Sequence, residues 1–387
     1  MKNSGRRIKS IFPIAITSLF FVIPFFATAA TVKLEYSAWL PYWAKASSTA
    51  ETSLRFNKFT EVSPFAYSVK SDGTLVDTAR ITEEPWKSFI PAAQKTKTKV
   101  IPSILWTDGE AMHTVLRTYT LRIKHEKAII DTVVANNFDG IDLDYEGKKA
   151  ETKKYFSYFL QELSVGLHKK NKILVCTIEP RTPLDSRFDN IPAGIDYAND
   201  YYALNAYCDR VRIMAYDQGA IDLRLNDEKG KTSSYMPVAD ISWVTKVINL
   251  ASRVISLKKI VIGVPTYGYE YKVTPDGKGF IYERQRAINH TTAVTLALRE
   301  GMTPLRNSAG ELSFTYYNPA DATSTPSSVS TTTPSTFTKP FRLVWWSDAS
   351  AIGDKVALAK KLGVRGITVF KIDGGHDPAI WDKLTNK

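Results

Sequence analysis

Three carboxylates stand at alternate positions in the segment Asp139-Gly140-Ile141-Asp142-Leu143-Asp144-Tyr145-Glu146. In an extended strand successive side chains point to opposite faces, so Asp142, Asp144 and Glu146 share one face while Ile141, Leu143 and Tyr145 share the other. At ~3.3 Å per residue the acids form a ladder ~13 Å long that climbs to the C-terminal end of the strand. Like charges at this spacing do not all ionise freely. Proton sharing raises at least one of them, and the outermost, Glu146, is placed to give its proton to a substrate at the strand end. A solvated acidic strand or a divalent-metal site would use the same residue types. The apolar opposite face argues for burial instead, and buried carboxylates are seldom kept without a task.

The octad D-G-I-D-L-D-Y-E resembles the signature of glycoside hydrolase family 18, the chitinase-like hydrolases, whose pattern is D-G-x-D-x-D-x-E; every fixed position is filled. The resemblance implies that Glu146 is the general acid. It implies that Asp144 holds and polarises the substrate's N-acetyl group, with Asp142 sharing a proton behind it. Asp139 and Gly140 lead into the strand, Gly140 serving packing or backbone geometry. Met214-Ala215-Tyr216-Asp217 resembles the family's M-x-Y-D element, which implies that Tyr216 and Asp217 hold the N-acetyl group of the reacting sugar while Met214 packs the floor. Where many members carry a Trp on the last strand, this chain has Phe370, a smaller ring without an indole donor. Parts of the C-terminal segment, including Trp345 and Trp346, look like the bacterial spore and cell-wall-lytic branch.

The resemblance implies a (β/α)₈ barrel with its site at the C-terminal strand ends. Eight strand signals are present, at 35–43, 61–69, 99–106, 139–146, 172–179, 210–217, 259–266 and 366–372. Between them apolar residues recur at three and four over 120–136, 151–169, 238–256 and 349–362, the period of a helix with one buried face. That alternation argues for a parallel α/β sheet on its own. Further binding candidates fall at strand ends: the hydroxyl of Tyr67, and the rings of Tyr42, Trp43 and Trp106, which could stack on sugar faces or fill the core. Glu179 ends the fifth strand, where it could bond sugar hydroxyls or pair with Arg181.

The 387 residues exceed the ~250 of a plain barrel, and the surplus falls in two places. Residues 1–29 run from Lys2, Arg6, Arg7 and Lys9 through an apolar stretch to Ala27-Thr28-Ala29, the order of a secretory signal peptide, leaving 30–387 as the barrel. The expectation is an exported or cell-envelope protein with no stable membrane insertion once that segment is removed. The second surplus, about 269–340, reads as a small α+β insertion between strands 7 and 8, ending in a Ser, Thr and Pro-rich loop at 318–339. The net charge is +12, and removing the four basic residues of the leading segment leaves +8. That charge suits anionic surfaces such as cell-wall polymers and equally an ordinary solvated positive surface, whereas the scattered Lys and Arg residues and the lack of a motif argue against nucleic acid. Cys176 falls in the fifth strand and Cys208 just before the sixth, and the sequence leaves both a disulfide and two buried thiols open. Neither belongs to a ligand-spaced cluster, so no metal site is expected.

The chemistry implied by the family is retaining hydrolysis assisted by the substrate's own 2-acetamido group, with no cofactor. The expected partner is a polysaccharide containing N-acetylglucosamine, such as chitin or peptidoglycan. The rival class is a wall protein that binds such glycans on the same barrel without cleaving them.

Overall fold

The computed structural model describes Met1 and residues 33–230, 233–276, 279–321 and 339–385. The expected signal segment and most of the Ser/Thr/Pro loop lie outside the described residues. The chain divides into Met1–Thr31 and Val32–Lys387, and all that follows concerns the second unit.

Eight parallel strands close into a barrel: β1 (Glu35–Leu40), β2 (Glu61–Val69), β3 (Ser103–Trp106), β4 (Gly140–Tyr145), β5 (Ile173–Ile178), β6 (Arg210–Ile213), β7 (Ile260–Pro265) and β8 (Gly366–Phe370). Each pairs with its neighbour in chain order, and β1 pairs with both β2 and β8, which closes the ring. Runs such as Ile-Leu-Val-Cys-Thr-Ile in β5 and Ile-Val-Ile-Gly-Val-Pro in β7 are apolar almost throughout. Both of their faces are covered, one by the barrel interior and one by helices. The helix signals become Tyr119–Ala135, Lys153–His168, Ile241–Ala251 and Ala349–Leu362, the last with the expected bounds. Asp240 and Asp348 cap two of them by accepting from backbone N–H groups in the first turn.

Gly140 does serve backbone geometry. A Cβ there would lie 2.2 Å from the Ile173 carbonyl oxygen, so no side chain fits where β4 meets β5.

Between β7 and β8 the chain builds a five-stranded antiparallel sheet in the order Phe280–Asn289, Tyr267–Pro275, Phe341–Trp346, Leu312–Tyr316, Leu305–Arg306, with the helix His290–Arg299 against it. The sheet extends the expected insertion at both ends. Its Phe341–Trp346 strand contains Trp345 and Trp346, both buried. Glu311, in the hairpin before Leu312–Tyr316, ties this lobe to the barrel. It accepts from the Trp345 indole at 2.8 Å and from the backbone N–H groups of Val238 and Ala239 at 2.9 and 3.0 Å. Lys355, on the last barrel helix, lies 3.7 Å away, and both charges are fully buried. Cys176 and Cys208 form a disulfide, which settles the alternative left open by the sequence.

Candidate active site

The ladder stands inside the barrel as its alternation predicts. Asp142 is the most enclosed. Its Oδ2 accepts from the Trp39 indole at 2.9 Å, the Ser103 hydroxyl at 2.7 Å and Arg212 at 2.9 Å, and its Oδ1 accepts from Thr177 at 2.7 Å. Arg212, itself fully buried, also reaches Ser63 at 2.8 Å and Glu61 at 2.9 Å, and its guanidinium lies 5.2 Å from the Trp39 ring centre. The floor beneath the acids is thus an ion-paired layer and not the aliphatic filling usual in such barrels. Four donors converge on Asp142, the arrangement of a carboxylate that accepts and does not donate.

One step up, Asp144 is buried and its Oδ1 has no hydrogen-bond partner among the described residues. Burial lifts its pKa well above the ordinary carboxyl range. Glu146, Asp142 and Glu179 push the same way, and Lys148 opposes them. Glu146 follows at the end of β4, its backbone N–H bonded to the Trp106 carbonyl. Burial raises it as well, helped by Glu179 and Asp217 and opposed by Lys148. A carboxyl whose proton persists above the usual range is suited to general acid work.

Lys148 and Glu179 form a pair beside these acids. The Lys148 ammonium is buried, donates to the Tyr145 carbonyl and lies 3.7 Å from Glu179. Burial lowers Lys148, against the pull of Glu179, Asp144 and Glu146. Burial alone would raise Glu179, but Lys148 and hydrogen bonds from the Gly147 N–H (2.9 Å) and Asn199 (2.7 Å) hold it below its ordinary range. Its ion-pair partner is therefore Lys148 and not Arg181.

Tyr216 and Asp217 follow β6. Burial pushes the Tyr216 phenol far up, reinforced by Asp144, Asp217 and Glu146, so it stays protonated and able to donate. Its ring stacks on Phe370 with centres 5.5 Å apart and planes 14° apart. Asp217 has the left-handed backbone conformation, φ +58°, and its Oδ1 accepts from Tyr267 at 2.9 Å and Tyr269 at 2.7 Å. Burial raises Asp217, and these two hydroxyls oppose the rise. Phe370 is ringed by Trp39, Phe65, Tyr216 and Tyr267. With Asp217, Tyr269 and Asn289 it lines an open cavity of about 380 Å³ above β6 to β8. Met214 is half-buried against the main core.

The remaining candidates divide. Trp43 is 55% exposed and Tyr42 38% exposed in the turn after β1. Trp43 lies 6.2 Å from Phe65, with the Lys371 ammonium 5.8 Å from its ring centre, so an open aromatic face borders the Phe370 cavity. Trp106 is not a sugar platform. It is registered with Tyr145 on the face opposite Asp144, and it packs in the core against His125 and Tyr145 at 5.3 Å each. His125 explains that cluster: its Nδ1–H donates to the Gly73 carbonyl and its Nε2 accepts from the Tyr145 hydroxyl, both at 2.6 Å. Burial lowers its pKa to about 4, so it stays neutral. Tyr67 is turned the same way. A register shift between Phe65 and Tyr67 sets it beside Ile104 on the outer face, with its ring 6.5 Å from Phe138.

The sequence reading missed Arg212, Trp39, Ser103, Thr177 and Lys148. A signal existed for Arg212, since a cation inside the apolar strand Arg210–Ile213 must find a buried acid.

The family model for Glycosyl hydrolases family 18 matches residues 38–375. An uncharacterised glycosylase, YvbX, of Bacillus subtilis is 22% identical over 278 residues, covering 72% of this chain and 69% of that protein. A cortical fragment-lytic enzyme of Bacillus cereus is 25% identical over 329 residues, covering 83% of this chain and 66% of that protein. Among solved structures, the spore cortex-lytic enzyme SleL of Bacillus cereus superposes with a TM-score of 0.68 at 22% identity, over 91% of this chain and 74% of that one. A chitinase from Chromobacterium violaceum superposes with a TM-score of 0.69 at 21% identity, over 91% and 98%.

Proposed function

The chain belongs to family 18 of the glycosyl hydrolases, and from that premise we propose that it is an exported enzyme cleaving β-linkages beside N-acetylglucosamine in chitin-type or peptidoglycan glycans. The observation that carries this reading is the ladder itself: a carboxyl at the open end of β4 that holds its proton above the usual range, over a buried Asp144 with one oxygen unpartnered among the described residues.

The reacting sugar sits over Phe370, with its 2-acetamido group between Asp144, Tyr216 and Asp217. Its acetamido oxygen attacks the anomeric carbon as Glu146 protonates the leaving oxygen. Asp144 stabilises the positive charge that develops on the cyclised group, and the Tyr216 hydroxyl holds its oxygen in line. Glu146, now ionised, takes a proton from water, which opens the ring with retention. Substrate assistance suits a site in which Asp142 is occupied by four donors and so is not a free nucleophile.

Export is supported by the order of residues 1–29, and an oxidising compartment suits the Cys176–Cys208 disulfide. Names among the relatives point to spore cortex and to chitin alike. The test is incubation of the mature chain with purified peptidoglycan, chitin oligomers and N-glycans, with mass spectrometry of the released sugars. N-acetylglucosamine at the new reducing ends, with β-configuration at first, is the expected result. No release from any of the three overturns the reading.

A further inference from the structure

A second cavity, of about 280 Å³, opens above β4 and β5, lined by Lys148 and Glu179, the pair whose charges act on Glu146. Its wall is the segment between β5 and β6, which the Cys176–Cys208 disulfide closes into a loop. Two arginines line it, and neither has a carboxylate within ion-pair distance among the described residues. The Arg181 guanidinium lies 4.0 Å from the Tyr197 ring centre and 4.6 Å from that of Tyr201, and it donates to the Asn199 carbonyl. Arg187 donates to the Tyr197 hydroxyl at 3.3 Å. These contacts hold two guanidinium groups in place while leaving most of their N–H donors free.

The acids nearby are otherwise engaged. Glu179 is taken by Lys148, Gly147 and Asn199, and Asp200 accepts from the Tyr202 N–H at the start of its helix. Among the lining residues, Lys148 offsets Glu179, and exposed Asp196 is the one acid set against Arg181 and Arg187. A cavity with surplus positive charge and fork-shaped donors is suited to a carboxylate, which accepts two parallel N–H bonds from one guanidinium. A chitin chain carries no such group.

We infer that this cavity holds a carboxylate borne by the sugar on the leaving side of the cleaved bond, through Arg181 and Arg187, and that the enzyme thereby selects acidic glycans over neutral ones. This rests on the reading above that places the reacting sugar over Phe370, since the cavity above β4 and β5 then receives its neighbour. The lactyl-ether acid of peptidoglycan's muramic residues has the required chemistry.

The test uses peptidoglycan strands stripped of stem peptides by an amidase, the same strands with their lactyl acids converted to amides, and intact peptidoglycan. The wild-type kcat/KM is expected to favour the acid strand over its amide by about 10–100-fold, the value of a charge-assisted pair. In Arg181→Met and Arg187→Met the acid-to-amide ratio falls toward one. Because the ratio is taken within one preparation, a reduced folded fraction cancels. A wild-type ratio near one, or variants that both keep the wild-type ratio, overturns the inference. So does a preference seen with intact peptidoglycan but absent on peptide-free acid strands, which would move the bound carboxylate to the peptide. If no glycan is cleaved, the catalytic reading fails separately. Calorimetric titration of the same chain with acid and amide strands still decides the cavity, with equal affinities overturning it.

Discussion

Glu146 and its neighbours form a set in which each charge changes the work of the next. Glu146→Gln keeps the shape and removes the proton, so turnover should fall by at least ~10²–10⁴-fold while oligosaccharide binding persists; initial rates and calorimetry decide. Lys148 opposes the rise of both Glu146 and Asp144. Removing it as Lys148→Met should lift both further, so the protonated acid survives to higher pH and the alkaline limb of kcat/KM moves upward. A limb that stays still or moves down would show that Lys148 does not act on the acid. Asp144 gives a sign for stability. Its folded-state pKa is well above the unfolded value of ~3.9, so its favourable contribution is complete below that value and is lost as pH rises through the folded pKa. At neutral pH the buried carboxyl therefore costs stability. Asp144→Asn should be more stable than the parent at pH 7, with the difference vanishing near pH 4, while turnover drops by at least ~10-fold, or ~1.4 kcal/mol. Urea midpoints at the two pH values check the first half, and an Asp144→Asn protein less stable at pH 7 would contradict it.

At the scale of the element, the segment between β5 and β6 depends on its disulfide. Closing 176–208 removes chain entropy from the unfolded state worth about 3–4 kcal/mol. A Cys176→Ala, Cys208→Ala double variant should lose that much in a denaturant titration; unchanged midpoints would mean the bond constrains nothing. What the sequence disclosed also divides by element. All eight strands were legible because alternating strand and helix periods leave few other folds, and Glu61–Val69 has the bounds read from its residues. The facing of single residues was less so. Tyr67 follows a register shift, and in a strand a one-residue shift moves a side chain to the opposite face. Trp106 lies at a strand end but on the helix side, a choice settled by its pairing with Tyr145. The Arg212 layer was hidden because it is made by three strands far apart in the chain, so no local pattern contains it.

The whole molecule joins barrel and lobe at the site. One residue, Thr266, separates β7 from the first lobe strand, and that strand supplies the Tyr267 and Tyr269 hydroxyls that hold Asp217. The geometry at Asp217 therefore depends on how firmly the lobe is docked. Glu311 is the main candidate for that anchor, since it bonds lobe Trp345, the 238–239 backbone and barrel Lys355 together. Burial raises Glu311, and Lys355 and its hydrogen-bond donors oppose the rise. Glu311→Ala would leave Lys355 buried without its acid and two backbone N–H groups without an acceptor, a loss of about 3–5 kcal/mol. If lobe and barrel melt as one unit, calorimetry should show a single transition at lower temperature. A second, earlier transition would instead mark a lobe that unfolds alone. In either event the loosened lobe strand should weaken binding of a thiazoline mimic of the cyclised acetamido intermediate, although Glu311 lines neither cavity. Undiminished thiazoline affinity in a folded Glu311→Ala protein would show that Asp217 is held by the barrel alone.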